Sequence, residues 1–369
     1  MKILIIGGVA AGTKTAAKLK RLDRGAEVTL ITKSRDISYA GCGLPYYVGG
    51  MIETRDELIV NTPEKYAALT GVTVRTGREA VKLDAEAKTV TASNLDSGEQ
   101  EVYEYDRLVI AVGASPSVPP VEGLHLGGVF TMRTPDDAET MRTYIEKQNV
   151  KKAVVVGGGF IGLEVAENLH ARGVSVTVID FASQIMPNVL DPELADWAKK
   201  KLAAAGVRVI TSTAAQAIEG EERVSAIRTS AGTLACDLVV LSAGIRPNTG
   251  FLADTGLAMV KGTIVVDEQM RTNLPDVYAA GDCAMVKNRL TGAPQWSPMG
   301  STANLSGRTL AEGLMGADKR YPGVLGTGVA KLPGLSCGRT GLTERQAKDA
   351  DFDPVCAVAV TDDKAHYYP

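Results

Sequence analysis

The chain has 369 residues, of which 45% are hydrophobic, so it is long enough for two or three domains with sizeable cores. Its 40 basic and 43 acidic side chains give a net charge of −3, which excludes the basic surface of proteins that bind nucleic acids or anionic membranes. The five cysteines show no CxxC spacing, which excludes a disulfide scaffold and a cysteine-based metal site. We therefore expect free thiols and a cytoplasmic location.

Residues 2–31 are predicted to form a strand, a helix and a second strand. The apolar run Lys2–Ile6 is short and ends in glycines, which is typical of a buried parallel strand and not of a signal peptide. The turn Gly7–Gly12 approaches a dinucleotide-binding fingerprint, but Val9 stands at its middle glycine position. Thr32 stands where an acid usually meets the ribose. This turn is compatible with a weakly held nucleotide or with an ordinary connection between strand and helix.

Cys42 is the most informative residue that follows this unit. It lies in the run Ser38–Tyr47, before a predicted helix, and no second cysteine is near it. A helix start favours the thiolate, which is the nucleophilic form of the side chain. The alternative is a buried structural cysteine. The position of Cys42 between two predicted nucleotide-binding units favours a redox role.

The second unit, residues 152–179, carries a complete G-x-G-x-x-G turn at Gly157, Gly159 and Gly162. These glycines permit a tight turn, close approach of a pyrophosphate and packing of the helix on the strand. Asp180 ends the next strand and can accept hydrogen bonds from ribose hydroxyls, and no arginine follows it in residues 181–183. The pattern therefore predicts NADH in preference to NADPH.

Further buried strands are predicted at residues 108–116 and 238–248, and each of them ends in a turn. A strand at 277–280 leads into Gly281 and Asp282, where a simple turn is the alternative to a ligand site. Prolines at 116, 119 and 120 mark a crossing between domains. After residue 320 the pattern changes to strand, strand, helix and strand, which is typical of a small α+β domain.

These motifs, in this order, resemble the pyridine nucleotide-disulfide oxidoreductase superfamily. The closest resemblance is to its single-cysteine branch of coenzyme A-disulfide reductases, NADH oxidases and NADH peroxidases. The resemblance covers nearly the whole chain. It is carried by the segments Gly7–Gly12, Ser38–Tyr47, Ala111–Pro116, Gly157–Glu164, Gly244–Asn248, Thr272–Asp282 and Thr340–Glu344.

The resemblance implies an α/β fold with two Rossmann-like dinucleotide-binding domains, one for FAD and one for NAD, and an α+β C-terminal interface domain. The expected FAD-binding domain has two parts, 1–117 and 244–320, which flank the NAD-binding domain at 118–243. Residues 321–369 are the expected C-terminal domain. Family members continue further, so this domain is expected to be incomplete and the chain could be a fragment. A homodimer is expected where the domain is complete.

The resemblance also implies the cofactor contacts. Asp282 is expected to hold the ribityl chain of FAD. Phe160 is expected to gate the flavin, and Glu164 to lie near the nicotinamide, where a surface charge is the alternative. The expected FAD contacts are Gly7, Val9, Ala10, Ala11, Gly12, Thr32, Lys33, Ser38, Ala80, Ala111, Gly113, Gly281, Asp282, Met299 and Ala303. The expected NAD contacts are Gly157, Gly159, Phe160, Ile161, Gly162, Glu164, Asp180 and Gly244.

Three features of the sequence distinguish among the branches of the family. No C-x4-C pair includes Cys42, and the only histidines are His125, His170 and His366, so the chemistry of two-cysteine reductases is not expected. Ala10 stands where peroxidases and water-forming oxidases of the branch carry a histidine. Coenzyme A-disulfide reductases have a small residue there, although they have asparagine where this chain has Gly41.

Substrate contacts are expected at Lys14, Lys18, Arg21, Ser38, Gly41 and Tyr367. The three basic residues share one face of the first helix. The resemblance implies that this face meets coenzyme A phosphates, and a solvated helix face is the alternative. The end Tyr367-Tyr368-Pro369 resembles a segment that reaches the substrate thiol of a partner subunit, where the alternative is a surface turn.

The expected function is hydride transfer from NADH through FAD to Cys42, which then reduces a disulfide or persulfide such as coenzyme A disulfide. An NADH oxidase that reduces oxygen is the alternative enzyme. A flavin-binding redox sensor is the alternative of another class. No metal, nucleic acid or membrane partner is expected.

Overall fold

The computed structural model describes residues 1–362 and Tyr367. Its α-helices are α1 (Ala10–Leu22), α2 (Leu44–Gly49), α3 (Pro63–Thr70), α4 (Pro135–Gln148), α5 (Phe160–Ala171), α6 (Pro192–Ala204), α7 (Gly300–Leu314) and α8 (Glu344–Asp349). Short 3-10 helices cover Gly41–Gly43, Arg55–Leu58 and Gly250–Leu252.

The strands are short and alternate with these helices. The first twelve are β1 (Lys2–Ile6), β2 (Glu27–Thr32), β3 (Thr73–Thr76), β4 (Arg78–Asp84), β5 (Thr89–Asn94), β6 (Gln100–Glu104), β7 (Arg107–Ile110), β8 (Ala114–Pro116), β9 (Val129–Phe130), β10 (Lys152–Val156), β11 (Ser175–Ile179) and β12 (Arg208–Ile210). The others are β13 (Ala215–Gly220), β14 (Val224–Thr229), β15 (Gly232–Ala235), β16 (Leu238–Leu241), β17 (Ile245–Pro247), β18 (Met259–Val260), β19 (Thr263–Val265), β20 (Val277–Ala279), β21 (Ala284–Lys287), β22 (Pro294–Trp296), β23 (Gly328–Leu332) and β24 (Leu335–Arg339).

The first unit is built on a parallel five-stranded sheet in the order β20-β7-β1-β2-β3. Its central strand β1 is buried from Ile3 to Ile6 because both faces of the sheet are covered. On one face Ile5 packs with Leu19 of α1 and Leu310 of α7. On the other face the antiparallel sheet β4-β5-β6 covers the strands.

The second unit repeats this plan with the parallel order β12-β11-β10-β16-β9. Helices α4, α5 and α6 cover one face, where Met141, Ala166 and Leu202 belong to the same buried cluster as Val155. The antiparallel sheet β13-β14-β15 covers the other face. Two parallel sheets, each with helices on one face, give the predicted α/β class.

A strand pairing and a helix packing are among the contacts that join the units. Strands β8 and β17, which leave the two parallel sheets, pair with each other in antiparallel register, with Ser115 opposite Arg246. Helix α2 of the first unit packs on α4 and α5 of the second. The sheet edges that carry the glycine turns therefore face the boundary between the two units.

The remaining strands belong to two smaller sheets. Strands β18, β19, β21 and β22 form a four-stranded sheet, and β23 pairs with β24 as a hairpin. The hairpin buries Ala330, Leu332 and Cys337 in the core of the second unit. Helix α8 follows and begins at a capping box formed by Thr343 and Gln346.

Within the described part of the chain, no helix combines the length and the apolar character that a membrane crossing requires.

Helix α4 supplies a test of local stability. The Thr134 side chain accepts a hydrogen bond from the Asp137 amide at 3.2 Å, and the Asp137 carboxylate accepts one from the Thr134 amide at 2.9 Å. We expect Thr134→Ala to lower the free energy of unfolding by about 1 kcal/mol, because one amide at the helix start loses its acceptor. Urea unfolding followed by circular dichroism measures the change. Thr134→Ser keeps the hydroxyl and should lose less than half as much, and equal losses would contradict the explanation.

Candidate active site

The two glycine turns have the same local geometry. Gly7 and Gly157 have φ angles of +117° and +114°, in the left-handed region that favours glycine. A Cβ on Gly12 would lie 1.9 Å from the Gly7 carbonyl oxygen, and a Cβ on Gly162 would lie 1.9 Å from that of Gly157. Each helix therefore starts in contact with the end of its strand, and its first amides are directed at the space where a pyrophosphate binds.

The two turns differ at the ribose position. Asp180 accepts hydrogen bonds from the amides of Gly158 at 2.6 Å and Ala182 at 2.7 Å, which hold the carboxylate beside the glycine turn. At the equivalent place in the first unit, Thr32 is buried and its methyl group packs where a Cβ on Gly8 would lie. The second turn therefore offers a ribose a charged acceptor, and the first offers it a neutral hydroxyl.

Small residues close the expected FAD site between α1 and α7. A Cβ on Gly281, which has a φ of +80°, would lie 2.9 Å from the Cβ of Ala11 and 3.7 Å from that of Ala303. A Cβ on Gly7 would lie 2.1 Å from the carbonyl oxygen of Ala111. The narrow space fits a ligand that must approach the backbone, such as a dinucleotide.

The other expected FAD contacts are spread along the same sheet edge. Ser38 donates its amide to the carbonyl of Gly8 at 2.8 Å, so it lies against the first glycine turn. Lys33 forms an ion pair with Glu79 at 2.9 Å, which holds Lys33 next to the strand that contains Ala80. Val9 and Ala10 lie at the start of α1, Gly113 lies between β7 and β8, and Met299 precedes α7.

Asp282 has a cationic neighbour that the sequence did not indicate. Arg133, just before α4, places a guanidinium nitrogen 3.6 Å from the Asp282 carboxylate and donates from Nε to the Ala114 carbonyl at 2.6 Å. Burial raises the pKa of Asp282, and Arg133 opposes that rise. No local motif marks Arg133, because its neighbours lie on β8 and after β20.

Cys42 lies in the 3-10 turn Gly41–Gly43 that precedes α2, and the residue is exposed. The prediction that a helix start lowers the pKa of this thiol is wrong. Partial desolvation raises the pKa first, and the carboxylates of Glu164 and Asp282 raise it further. Arg133 acts in the opposite direction. The helix that follows has only six residues.

Phe160 connects the second glycine turn with the hairpin. It is the first residue of α5, and a Cβ on Gly328 of β23 would lie 3.1 Å from the ring and 3.4 Å from Met299. Glu164 lies one turn further along α5, and its carboxylate raises the pKa of the Cys42 thiol. Ile161 is partly exposed, and Gly244, with a φ of +110°, precedes β17.

The basic face of α1 is partly neutralised. Lys18 forms an ion pair with Glu312 of α7 at 2.9 Å, and both side chains are only 21% exposed. Within residues 1–362, neither Lys14 nor Arg21 has an ion-pair partner. This ion pair could not be predicted from the sequence, because Glu312 lies almost 300 residues from Lys18 along the chain.

Of the predicted substrate contact at the end of the chain, the structure describes Tyr367. Tyr367 is exposed, whereas Tyr368, Pro369 and His366 lie outside the described residues. Among residues 1–362 and Tyr367, no group of three or more histidine, cysteine, aspartate or glutamate side chains could hold a metal ion.

Residues 1–301 match the family described as pyridine nucleotide-disulphide oxidoreductase. The chain belongs to this family, which confirms the predicted family, the fold class with FAD and NAD domains, and the use of FAD and NAD(P)H by an oxidoreductase.

The chain is similar over its whole length to two archaeal proteins. It is 36% identical to an NADH oxidase of Methanocaldococcus jannaschii and 37% identical to an NAD(P)H coenzyme A polysulfide/persulfide reductase of Pyrococcus horikoshii, and it covers 82% of each. A solved structure of reduced CoADR-RHD from Bacillus anthracis superposes on 95% of the chain with a TM-score of 0.92 and 36% identity. The chain covers 63% of that longer protein.

The glycine contacts allow the two nucleotide sites to be separated. We expect Gly12→Ala to lose FAD on purification, because the added methyl group meets the Gly7 carbonyl at 1.9 Å. We expect Gly162→Ala to keep its flavin absorbance but to lose most of its reduction by NADH, measured by anaerobic stopped-flow spectroscopy. Gly313→Ala in α7, where a Cβ meets no atom within 4 Å, is the control and should behave as the parent. Loss of FAD from all three variants would contradict this separation.

Proposed function

We propose that this oxidoreductase passes two electrons from NADH to a disulfide or persulfide through Cys42. The observation that carries the proposal is an exposed thiol at the place where the two glycine-turn units meet. Cys236, Cys283 and Cys337 are buried, and Cys356 lies after α8, beside Glu344. Within the described residues, Cys42 therefore has no partner for an internal disulfide and must form its mixed disulfide with the substrate.

The two units would bind different cofactors. The first glycine turn, Asp282 and Arg133 would hold FAD, and the second turn and Asp180 would hold NADH. When bound, FAD supplies the two-electron chemistry between the nicotinamide and sulfur. Cys42 as a thiolate attacks one sulfur of the substrate, the new S–S bond forms, and the other sulfur leaves as a thiolate.

The coenzyme A class of substrate is supported by chemistry and by similarity. A relative with 37% identity is named an NAD(P)H coenzyme A polysulfide/persulfide reductase. Lys14 and Arg21, without ion-pair partners in residues 1–362, offer cations to phosphate groups on the outer face of α1. We propose a cytoplasmic homodimer as the working form, and light scattering of the complete protein tests the dimer.

An NADH oxidase is the second candidate, because a relative with 36% identity carries that name. Ala10 stands where the resemblance places the histidine of peroxidases and water-forming oxidases, and an alanine supplies no acid, which disfavours peroxide chemistry at Cys42. Oxygen uptake with NADH as the sole substrate decides between the two. Uptake faster than disulfide or persulfide reduction would establish the oxidase.

Cys42→Ser should keep its FAD and its reduction by NADH but lose at least about 10²-fold in reduction of coenzyme A disulfide, because serine forms no mixed disulfide. The measurement is NADH oxidation under anaerobic conditions with the disulfide present. Cys356→Ser is the matched control and should retain the parent rate. If Cys42→Ser kept the parent rate, the proposed function would be wrong.

Glu312→Gln should lower the KM for coenzyme A disulfide by about twofold to fivefold, because a partly exposed ion pair of this kind is worth up to about 1 kcal/mol and its loss frees Lys18 for phosphate. Pantethine disulfide, which lacks the phosphates, should show an unchanged KM. Asp196→Asn removes a similar ion-paired acid from α6, where Asp196 meets Lys200 at 2.6 Å, and should change neither value. Equal changes for both substrates would place the phosphates elsewhere.

A further inference from the structure

The loop 181–191 joins β11 to α6 and begins directly after Asp180, the predicted acceptor for the adenosine ribose. Its middle packs against the second glycine turn. The Met186 amide donates to the carbonyl of Gly158 at 2.9 Å, and a Cβ on Gly158 would lie 3.0 Å from the side chain of Ile185. The loop therefore borders both the turn and the carboxylate that the adenosine half of NADH would meet.

This loop has a backbone conformation that needs support. Met186 has a φ of +47°, in the left-handed region that residues with a side chain rarely adopt unless their neighbours hold them there. The amides of Val189 and Leu190 donate to the Met186 carbonyl at 2.8 and 3.0 Å, and the Gln184 side chain donates to the Leu190 carbonyl at 2.9 Å. These three bonds join residues of the loop to one another, so contacts that fix the loop in place must come from other elements.

The far half of the loop is bonded to the C-terminal hairpin and to α8. Arg339, at the end of β24, donates from Nη1 to the Asn188 carbonyl at 2.6 Å and to the Gln346 side chain at 2.8 Å. Gln346 itself donates to the Asn188 carbonyl at 3.4 Å. The amide of Glu344, the first residue of α8, donates to the Asp191 carboxylate at 2.9 Å. Two C-terminal elements thus hold a loop that precedes them by about 150 residues.

Arg339 is itself fixed by the hairpin. Its Nη2 donates to the Gly326 carbonyl at 3.3 Å, and its Nε is buried without a hydrogen-bond partner in the part of the chain that the structure describes. A partly buried guanidinium makes stronger hydrogen bonds to carbonyls than a neutral donor does. The hairpin also contacts the start of α5, because a Cβ on Gly328 would lie 3.1 Å from the ring of Phe160. One hairpin therefore contacts both sides of the second glycine turn.

We propose that Arg339 is a positioning residue for NADH. By bonding to the Asn188 carbonyl, it keeps the loop 181–191 packed on the second glycine turn before NADH arrives, so the adenosine half of NADH meets a preformed site. A loop that is already ordered costs the ligand less free energy than one that the ligand must order. Arg339 therefore acts on the affinity for the adenosine half and not on hydride transfer. This inference rests on the proposed function, which assigns NADH to this turn.

The first test separates the binding of NADH from its oxidation. Reduction of the FAD-loaded protein is followed by anaerobic stopped-flow spectroscopy over a range of NADH concentrations, with no disulfide present. Arg339→Met keeps a long side chain but donates no hydrogen bond, and it should raise the apparent Kd of NADH by about threefold to thirtyfold. The limiting rate of flavin reduction should change by less than about twofold, because the nicotinamide is the other end of NADH. An unchanged Kd would overturn the proposal, and so would a loss confined to the limiting rate.

The second test uses the two halves of NADH. ADP-ribose contains the adenosine half, and its Kd, measured by isothermal titration calorimetry, should rise in Arg339→Met by the same factor as that of NADH. Reduced nicotinamide mononucleotide lacks the adenosine half and should reduce the flavin of the parent and of Arg339→Met at rates within about twofold of each other. Equal losses with NADH and with the mononucleotide would overturn the proposal, because they would indicate general damage to the site.

Arg345→Met is the matched control. Arg345 lies exposed on the neighbouring helix α8, and its replacement makes the same change in net charge. The Kd values of NADH and ADP-ribose should stay within about twofold of the parent values. An increase equal to that in Arg339→Met would assign the effect to charge alone and overturn the proposal. Arg339→Lys keeps a donor and should recover part of the lost affinity.

Asp191→Ala tests the other bond to the loop and does not depend on how Arg339→Met folds. The Asp191 side chain makes no cap hydrogen bond with α6, so this variant removes the bond from the Glu344 amide without removing a helix cap. It should raise the Kd of NADH and of ADP-ribose by about twofold to tenfold and leave reduction by the mononucleotide unchanged. Asp191→Asn keeps an acceptor and should retain most of the parent affinity. Parent affinity in Asp191→Ala would show that fixing the loop does not matter for NADH.

Cys42→Ser distinguishes this proposal from the proposed function, because binding of ADP-ribose does not involve the sulfur. If Cys42→Ser is inactive toward disulfides while Arg339→Met binds ADP-ribose as the parent does, the proposed function stands and the role of Arg339 is wrong. If Cys42→Ser keeps the parent rate while Arg339→Met binds ADP-ribose weakly, Arg339 positions the loop and the proposed function is wrong.

Discussion

The packing of α2 against α5 is the contact on which the working site depends. Each unit folds around its own parallel sheet, but Cys42 belongs to the first unit and Glu164 to the second. Gly49 is part of this contact because a larger side chain would meet Asn168, and Arg172 ties the two helix ends together through the Val48 carbonyl. Groups from distant parts of the chain thereby come near each other, and the Glu164 carboxylate raises the pKa of the Cys42 thiol.

The repeated unit shows how one fold serves two ligands. The backbone of both glycine turns is the same within a few degrees of φ at Gly7 and Gly157. One difference lies at the ribose position, since Asp180 is held beside the glycine turn by two amides and Thr32 is buried against Gly8. A charged acceptor with a fixed orientation suits a substrate that arrives and leaves, whereas enclosure by small residues at Ala11, Gly281 and Ala303 suits a ligand that stays.

The elements and the family could be predicted from the sequence because their signals are local. Apolar strands, glycine turns and the segment around Cys42 each occupy fewer than about a dozen neighbouring residues. The ionisation state of Cys42 could not be predicted this way, since it depends on Glu164, Asp282 and Arg133, which come together only in three dimensions. The pairing of Lys18 with Glu312 was missed for the same reason. The spacing along α1 showed that three cations share a face, but it could not show that Lys18 is paired with a carboxylate.

The raised pKa of Cys42 has a consequence for how long the protein survives in air. Peroxides oxidise the thiolate of cysteine far faster than the neutral thiol, and repeated oxidation ends in sulfinic and sulfonic acids that cells rarely repair. Because the raised pKa lowers the fraction of thiolate at Cys42, this exposed sulfur is oxidised more slowly between turnovers. The same arrangement that slows ionisation preserves the sulfur for its next substrate.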